Sequence, residues 1–163
     1  MKIISNTGPI IGLAKIDSLP ILKEIASEVL IPPMVHRELL GKIGIESERI
    51  DKALNDFIRV AELNPLDSVT IEILADLDEG ERQTIGLAST FSEDVLLLLD
   101  DRVGRLAAEK LNIPTTGLIG ILLLAKEKGI LENIRSLIDN LRKQGYWISD
   151  EVADTAKRLA EEK

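Results

Sequence analysis

Apolar and polar residues follow two patterns along this chain. Short continuous apolar runs bounded by turn residues read as strands buried on both faces: Lys2–Ser5, Val29–Ile31 and Val95–Leu99. Between them, apolar residues recur every three or four positions, the helical period. Ile10, Ile11, Leu13, Ala14 and Ile16 form one such stripe after Asn6-Thr7-Gly8-Pro9. Pro9 suits a first helical turn, with Thr7 or Gly8 as the cap. A second short helix runs through Leu22 and Ile25. Pro33 or Met34 opens a helix over Val35–Leu40, which Gly41 ends as a C′ residue. Ile50, Ala53, Leu54, Phe57 and Ile58 predict a longer helix over Glu46–Val60, although Ile58–Ala61 also reads as a strand. Further helices are predicted over Thr70–Leu77, Arg82–Phe91, Arg102–Leu111, Gly117–Lys128, Ile134–Lys143 and Asp150–Glu161, with a short strand at Ile113–Thr116.

Strands that alternate with helices imply βαβ units, hence a parallel sheet covered on both faces. The expected fold class is α/β, a three-layer α/β/α sandwich. No Gly/Ser-rich linker divides the chain, so one domain is expected over residues 1–163, with the C-terminal helices from about 117 onward. Ile119 and Ile121–Leu124 cover more than one helix face, which predicts either a deeply buried helix or a dimer seam.

Composition narrows the chemistry. The chain has 163 residues, 45% of them apolar and only 2% aromatic, so its core is aliphatic. There is no cysteine. That removes disulfides, thiolate metal sites and thiol nucleophiles, and it suits a reducing cytoplasm. No signal peptide is expected after Met1-Lys2, and the apolar stretch Gly117–Ala125 is far short of the roughly 18 residues a membrane span needs. The formal net charge is −8. An acidic chain exerts no long-range pull on nucleic acid, so contact with it requires a local basic patch or bound cations.

The run Val95–Leu99 ends abruptly in Asp100-Asp101. Open α/β sheets place ligand sites at the carboxyl ends of such strands. Adjacent acids there repel unless something positive sits between them, and a divalent ion is the usual partner. A helix start gives the same residues, with Asp100 as N-cap and Asp101 favoured by the helix dipole. Other polar residues fall at corresponding places: Asn6 after the first strand, Glu38 on the helix after the second, and Glu81 on the helix before Val95. Each has an ordinary alternative. Asn6 suits a turn that bonds its own backbone, Glu38 a solvated face paired with Arg37 or Lys42, and Glu81 a dipole-favoured first helical turn. Oxygen donors without a histidine cluster favour magnesium or manganese over zinc, and the lone His36 reads as an ordinary helix residue. Arg102, Arg105, Arg37 and Lys15 are candidates to hold phosphates at the same edge. Tyr146 and Trp147 are two of only four aromatics; Trp147 reads chiefly as packing the C-terminal helices onto the sheet, and alternatively stacks on a base or anchors a partner.

Four segments together resemble the PIN-domain nucleases, and within them a prokaryotic PIN-like subfamily: Ile3–Ile11, Ile31–Leu39, Asp78–Glu81 with Ile85 and Ala88, and Leu97–Arg102. The tail is similar as well, through Thr116-Gly117, Gly120, Ala125-Lys126, Gly129 and Gly145–Ser149. The resemblance implies a magnesium- or manganese-dependent ribonuclease acting on RNA. Many members of the family are toxins held inactive by a small antitoxin protein, and many are homodimers. It implies a catalytic set of Asn6, Glu38, Glu81, Asp100 and Asp101, of which the four acids are metal ligands, with Thr7, Arg102 and Arg105 as substrate-binding residues. In one place the chain departs from the family pattern: Asn6 stands where an aspartate is usual. A carboxamide offers one neutral oxygen instead of a charged pair, so weaker metal binding is expected. Either Asp100 compensates, or the chain is a non-catalytic PIN-like module that binds RNA or a protein partner. A phosphatase or receiver domain fits less well, because its key aspartate would follow the first strand.

Overall fold

β-branched and leucine-rich runs make the strands, and their position in the sheet explains why they lack polar alternation. A computed structural model describes residues 1–42, 44–92 and 94–162. Along the chain lie β1 (Lys2–Ser5), α1 (Thr7–Lys15), α2 (Pro20–Ile25), β2 (Glu28–Ile31), α3 (Pro33–Leu40), α4 (Ile45–Leu54), β3 (Ile58–Val60) and α5 (Ser68–Leu74). There follow α6 (Glu79–Ser89), β4 (Val95–Leu98), α7 (Arg102–Lys110), β5 (Thr115–Thr116), α8 (Leu118–Glu127), α9 (Arg135–Lys143) and α10 (Asp150–Leu159). The strands form one parallel sheet in the order β3-β2-β1-β4-β5. β1 is central: Lys2 pairs with Glu28 on one side and Val95 on the other.

Alternate strand residues feed two cores. Ile3, Val29, Ile31, Ile58 and Leu98 face α1, α2, α3, α4, α8, α9 and α10 through residues such as Leu13, Val35, Ile50 and Ile121. Ile4, Leu30, Leu97 and Leu99 face α5, α6 and α7 through Leu74, Ile85 and Ala108. This is the three-layer α/β/α sandwich that the pattern predicts. From Leu118 to Lys126 every residue of α8 is buried or half-buried, so the apolar run belongs to a helix wrapped by its own chain. Among the described residues no helix is long and apolar enough to cross a membrane. At the C-terminus, Glu162 accepts hydrogen bonds from the backbone N–H groups of Ile134 and Arg135 and pairs with Lys126 at 2.7 Å, which fastens α10 to α8 and α9.

Several boundaries differ from the pattern. The long helix expected over Glu46–Val60 is two elements, because Ile58 and Val60 pair with β2 and this pairing overrides the local period. α5 starts at Ser68 because Asp67 caps it, accepting from the Thr70 N–H. α6 starts three residues before Arg82 because Asp78 caps it in the same way. Gly41 ends α3 at φ −80°, an ordinary right-handed conformation, so it is not the left-handed C′ glycine expected there.

Candidate active site

The strand order reverses direction at β1 and β4, and the chain leaves these strands on opposite faces of the sheet: α1 on one, α7 on the other. A crevice opens between such connections at the carboxyl edge. Asn6, the first residue past β1, is anchored there by its N–H on the Leu98 carbonyl at 3.0 Å. It is also the N-cap residue of α1, one position earlier than expected, but its side chain caps nothing. The carboxamide is therefore free for the crevice.

Thr7, a candidate for substrate binding, instead donates its hydroxyl to Glu38 Oε2 at 2.9 Å. Glu38 rides on α3, which Pro33 starts by supplying a preset φ and no surplus N–H. Neither Arg37 nor Lys42 pairs with it among the described residues. α3 is tied to α6 by Gln83, whose Oε1 accepts from the Met34 N–H at 2.8 Å. The other Glu38 oxygen meets the first turn of α6 at Gly80. A Cβ there would lie 2.6 Å from Glu38 Oε1 and 3.6 Å from both Asn6 Oδ1 and Asp78 Oδ1. Glycine thus leaves the space around which three side-chain oxygens gather.

Asp78 caps α6 by accepting from the Glu81 N–H at 2.9 Å. Glu81 lies in that helix's first turn, where the dipole favours an acid. Even so, burial pushes its carboxyl above the ordinary range, and the charges of Asp78 and Asp101 push it further. Glu79, two residues earlier, shows the opposite: hydrogen bonds from Gln83 and Arg82 hold its carboxyl low. Asp101 caps α7, accepting from the Gly104 N–H at 2.7 Å. The cap is Asp101, not Asp100.

Asp100 turns away from this group. Its Oδ1 accepts from the Leu118 N–H at 2.9 Å and lies 3.5 Å from Arg105 Nη2, and its Oδ2 accepts from the Tyr146 hydroxyl. Burial and that bond push the Tyr146 hydroxyl well above its ordinary value. Arg105 also donates from Nε to the Leu99 carbonyl at 2.8 Å. Arg102 opens α7, exposed and without a side-chain partner among the described residues. Lys15 does not share this edge. It ends α1, whose rise carries the chain about 12 Å back from Thr7. Arg37 precedes Glu38 by one residue and so projects about 100° away around α3. A cavity of about 610 Å³ opens at the far edge beside Met1, Phe91 and Pro114, where Asp94 is already paired with the Met1 amine at 3.0 Å.

The structure thus brings Asn6, Glu38 and Asp78 together, sets Glu81 beside Asp78 and within electrostatic reach of Asp101, and draws Asp100 out. Among the described residues no ion pair forms with Glu38, Asp78, Glu81 or Asp101. Nor do three His, Asp or Glu side chains there stand close enough to hold one ion as arranged. In donor chemistry the group fits a hard divalent cation: it offers only oxygens, carries uncompensated negative charge, and borders the space left by Gly80. Sequence reasoning missed Asp78. The signal was present, since Asp-x-x-Glu is the pattern of a capped helix start and puts both carboxylates at one N-terminus.

A family model described as a PIN domain matches residues 2–162. No curated protein and no solved structure matches the chain. Because the family match spans nearly the whole sequence, the protein belongs to the PIN-domain family, a nuclease-type fold whose members generally use divalent metals.

Proposed function

We propose that the protein is a magnesium- or manganese-dependent ribonuclease that hydrolyses phosphodiester bonds of RNA in the crevice between β1 and β4. The observation that carries this reading is the unneutralised acid group at the switch point, where burial and then the charges of Asp78 and Asp101 raise the Glu81 carboxyl and no ion pair answers these acids among the described residues. Glu38, Glu81 and Asp101 would hold the ion, with Asp78 and the Asn6 carbonyl oxygen beside them. A bound ion would supply Lewis-acid chemistry there, polarising a phosphoryl oxygen and lowering the pKa of an attacking water. The protein's own part is orientation. Thr7 fixes one oxygen of Glu38, the Gly104 N–H fixes Asp101, and the Glu81 N–H fixes Asp78. The family resemblance supports a toxin-like component of a toxin–antitoxin pair, cytoplasmic and homodimeric.

A second reading, a PIN-like module with weak or no catalysis, draws on Asn6 and on the looseness of the acid group. One experiment decides between them: cleavage of a labelled RNA with manganese, comparing wild type with Asn6→Asp, Glu81→Gln and Asp101→Asn. The nuclease reading expects wild-type cleavage that Asn6→Asp strengthens and both acid variants remove. Cleavage by Asn6→Asp alone would make the native chain a binding module. Equal cleavage by all four would place the activity outside this crevice.

A further inference from the structure

Beyond Asp100 the carboxyl edge continues into a groove of about 930 Å³ along β5, lined by Arg102, Arg105, Thr116, Gly120, Tyr146 and Trp147, among others. The acid that lines it, Asp100, is already held by Arg105, Tyr146 and the Leu118 N–H. On a chain of net charge −8, the charged residues that line this groove, Arg102, Arg105 and Asp100, sum to one positive charge, with Arg102 unpaired among the described residues. Gly145, at φ +89°, turns the chain sharply out of α9. Tyr146 then packs inward and Trp147 is left 84% exposed, with no partner for its ring N–H among the described residues. Trp147 does not pack the C-terminal helices onto the sheet.

We propose that this groove binds single-stranded RNA adjoining the scissile bond, with Trp147 stacking on a base and Arg102 and Arg105 holding phosphates. The proposal rests on the nuclease reading and names a binding subsite for its substrate. An open aromatic face beside two guanidiniums complements a strand that alternates flat bases with charged phosphates. The groove and the acid crevice share a wall: Asp101 borders one and Asp100 the other, consecutive residues about 3.8 Å apart at Cα. A peptide partner fits less well, since β5 offers only two residues of strand edge for an added strand to follow.

The protein's single tryptophan makes the test direct. Metal-free protein is titrated at low salt with a short single-stranded RNA, reading Trp147 fluorescence and, separately, the anisotropy of a labelled strand. Saturable quenching is expected, matching the anisotropy curve. Inorganic polyphosphate of similar charge should leave the fluorescence unquenched. Trp147→Ala should weaken binding about 5- to 100-fold, whereas Trp147→Phe keeps most of it. Arg102→Ala should lower the salt slope by about 0.7. No binding, binding without quenching, or full affinity in Trp147→Ala would overturn the proposal, as would equal quenching by polyphosphate. The two readings fail separately. Quenching without manganese-dependent cleavage keeps the groove and removes the nuclease; cleavage with a silent Trp147 does the reverse.

Discussion

Asp100 and Asp101 are consecutive in the chain, yet one is surrounded by donors and the other stands near acids. Asp100 receives a backbone N–H, a phenol and a guanidinium, so its charge is answered within the fold. Asp101 receives one N–H at a helix start, lies within electrostatic reach of Glu81 and has no ion pair among the described residues. The first arrangement is complete and holds α8 and Tyr146 in place. The second is incomplete, and an incomplete acid group costs stability that a bound cation or protonation recovers. Adjacent carboxylates at a strand end thus divide into a structural acid and a candidate ligand.

The sharpest way to break this contrast is to remove charge on each side in turn. Asp101→Asn keeps a competent cap but should cut manganese-dependent cleavage by at least about 100-fold, measured as initial rate on a labelled RNA. Asp100→Ala should leave manganese-induced stabilisation intact. It removes the acceptor of the Leu118 N–H, so it should cost about 1–3 kcal/mol, a melting decrease of roughly 3–10 °C by circular dichroism. Gly80→Ala would push Glu38 from the space it shares with Asn6 and Asp78. The expected effect is about tenfold weaker manganese binding by calorimetry, with a smaller change in stability. In the wild type, manganese at ten times its dissociation constant should add about 1.4 kcal/mol.

The smallest effect is in pH. The folded state holds the Glu81 carboxyl above its unfolded value, so ionising it costs the fold stability at neutral pH, and acidification through the raised pKa relieves that cost. Glu81→Gln should therefore melt slightly higher than wild type at pH 7, by a few tenths of a kcal/mol, with the gap closing as pH falls from the raised carboxyl value to the ordinary carboxylate range. A gap that stays constant with pH would mean that neither burial nor the charges of Asp78 and Asp101 raise the Glu81 carboxyl.

Much of the fold is legible in the chain because continuous apolar runs survive only where both sheet faces are covered, as at Ile3-Ile4 and Leu97–Leu99. β3 is harder to read, since three residues at an edge are fixed by pairing with β2 and not by their own pattern. At the site, Glu38 and Glu81 are marked by position after or before strands, but partners decide the rest. Reading Asp100 with Asp101 as a pair neglects that successive residues on an extended chain point opposite ways. Trp147 misleads for another reason: composition favours burying a lone tryptophan, and only the turn at Gly145 sends it outward.

The central position of β1 has a consequence for synthesis. The first strand made pairs with β2 early, but its other neighbour is 93 positions later, from Lys2 to Val95. Until that stretch has left the ribosome, Asn6 and Glu38 have no opposing wall, so a nascent chain carries half a crevice for most of its translation. Truncated products ending before Asp101 would lack one wall of the crevice altogether.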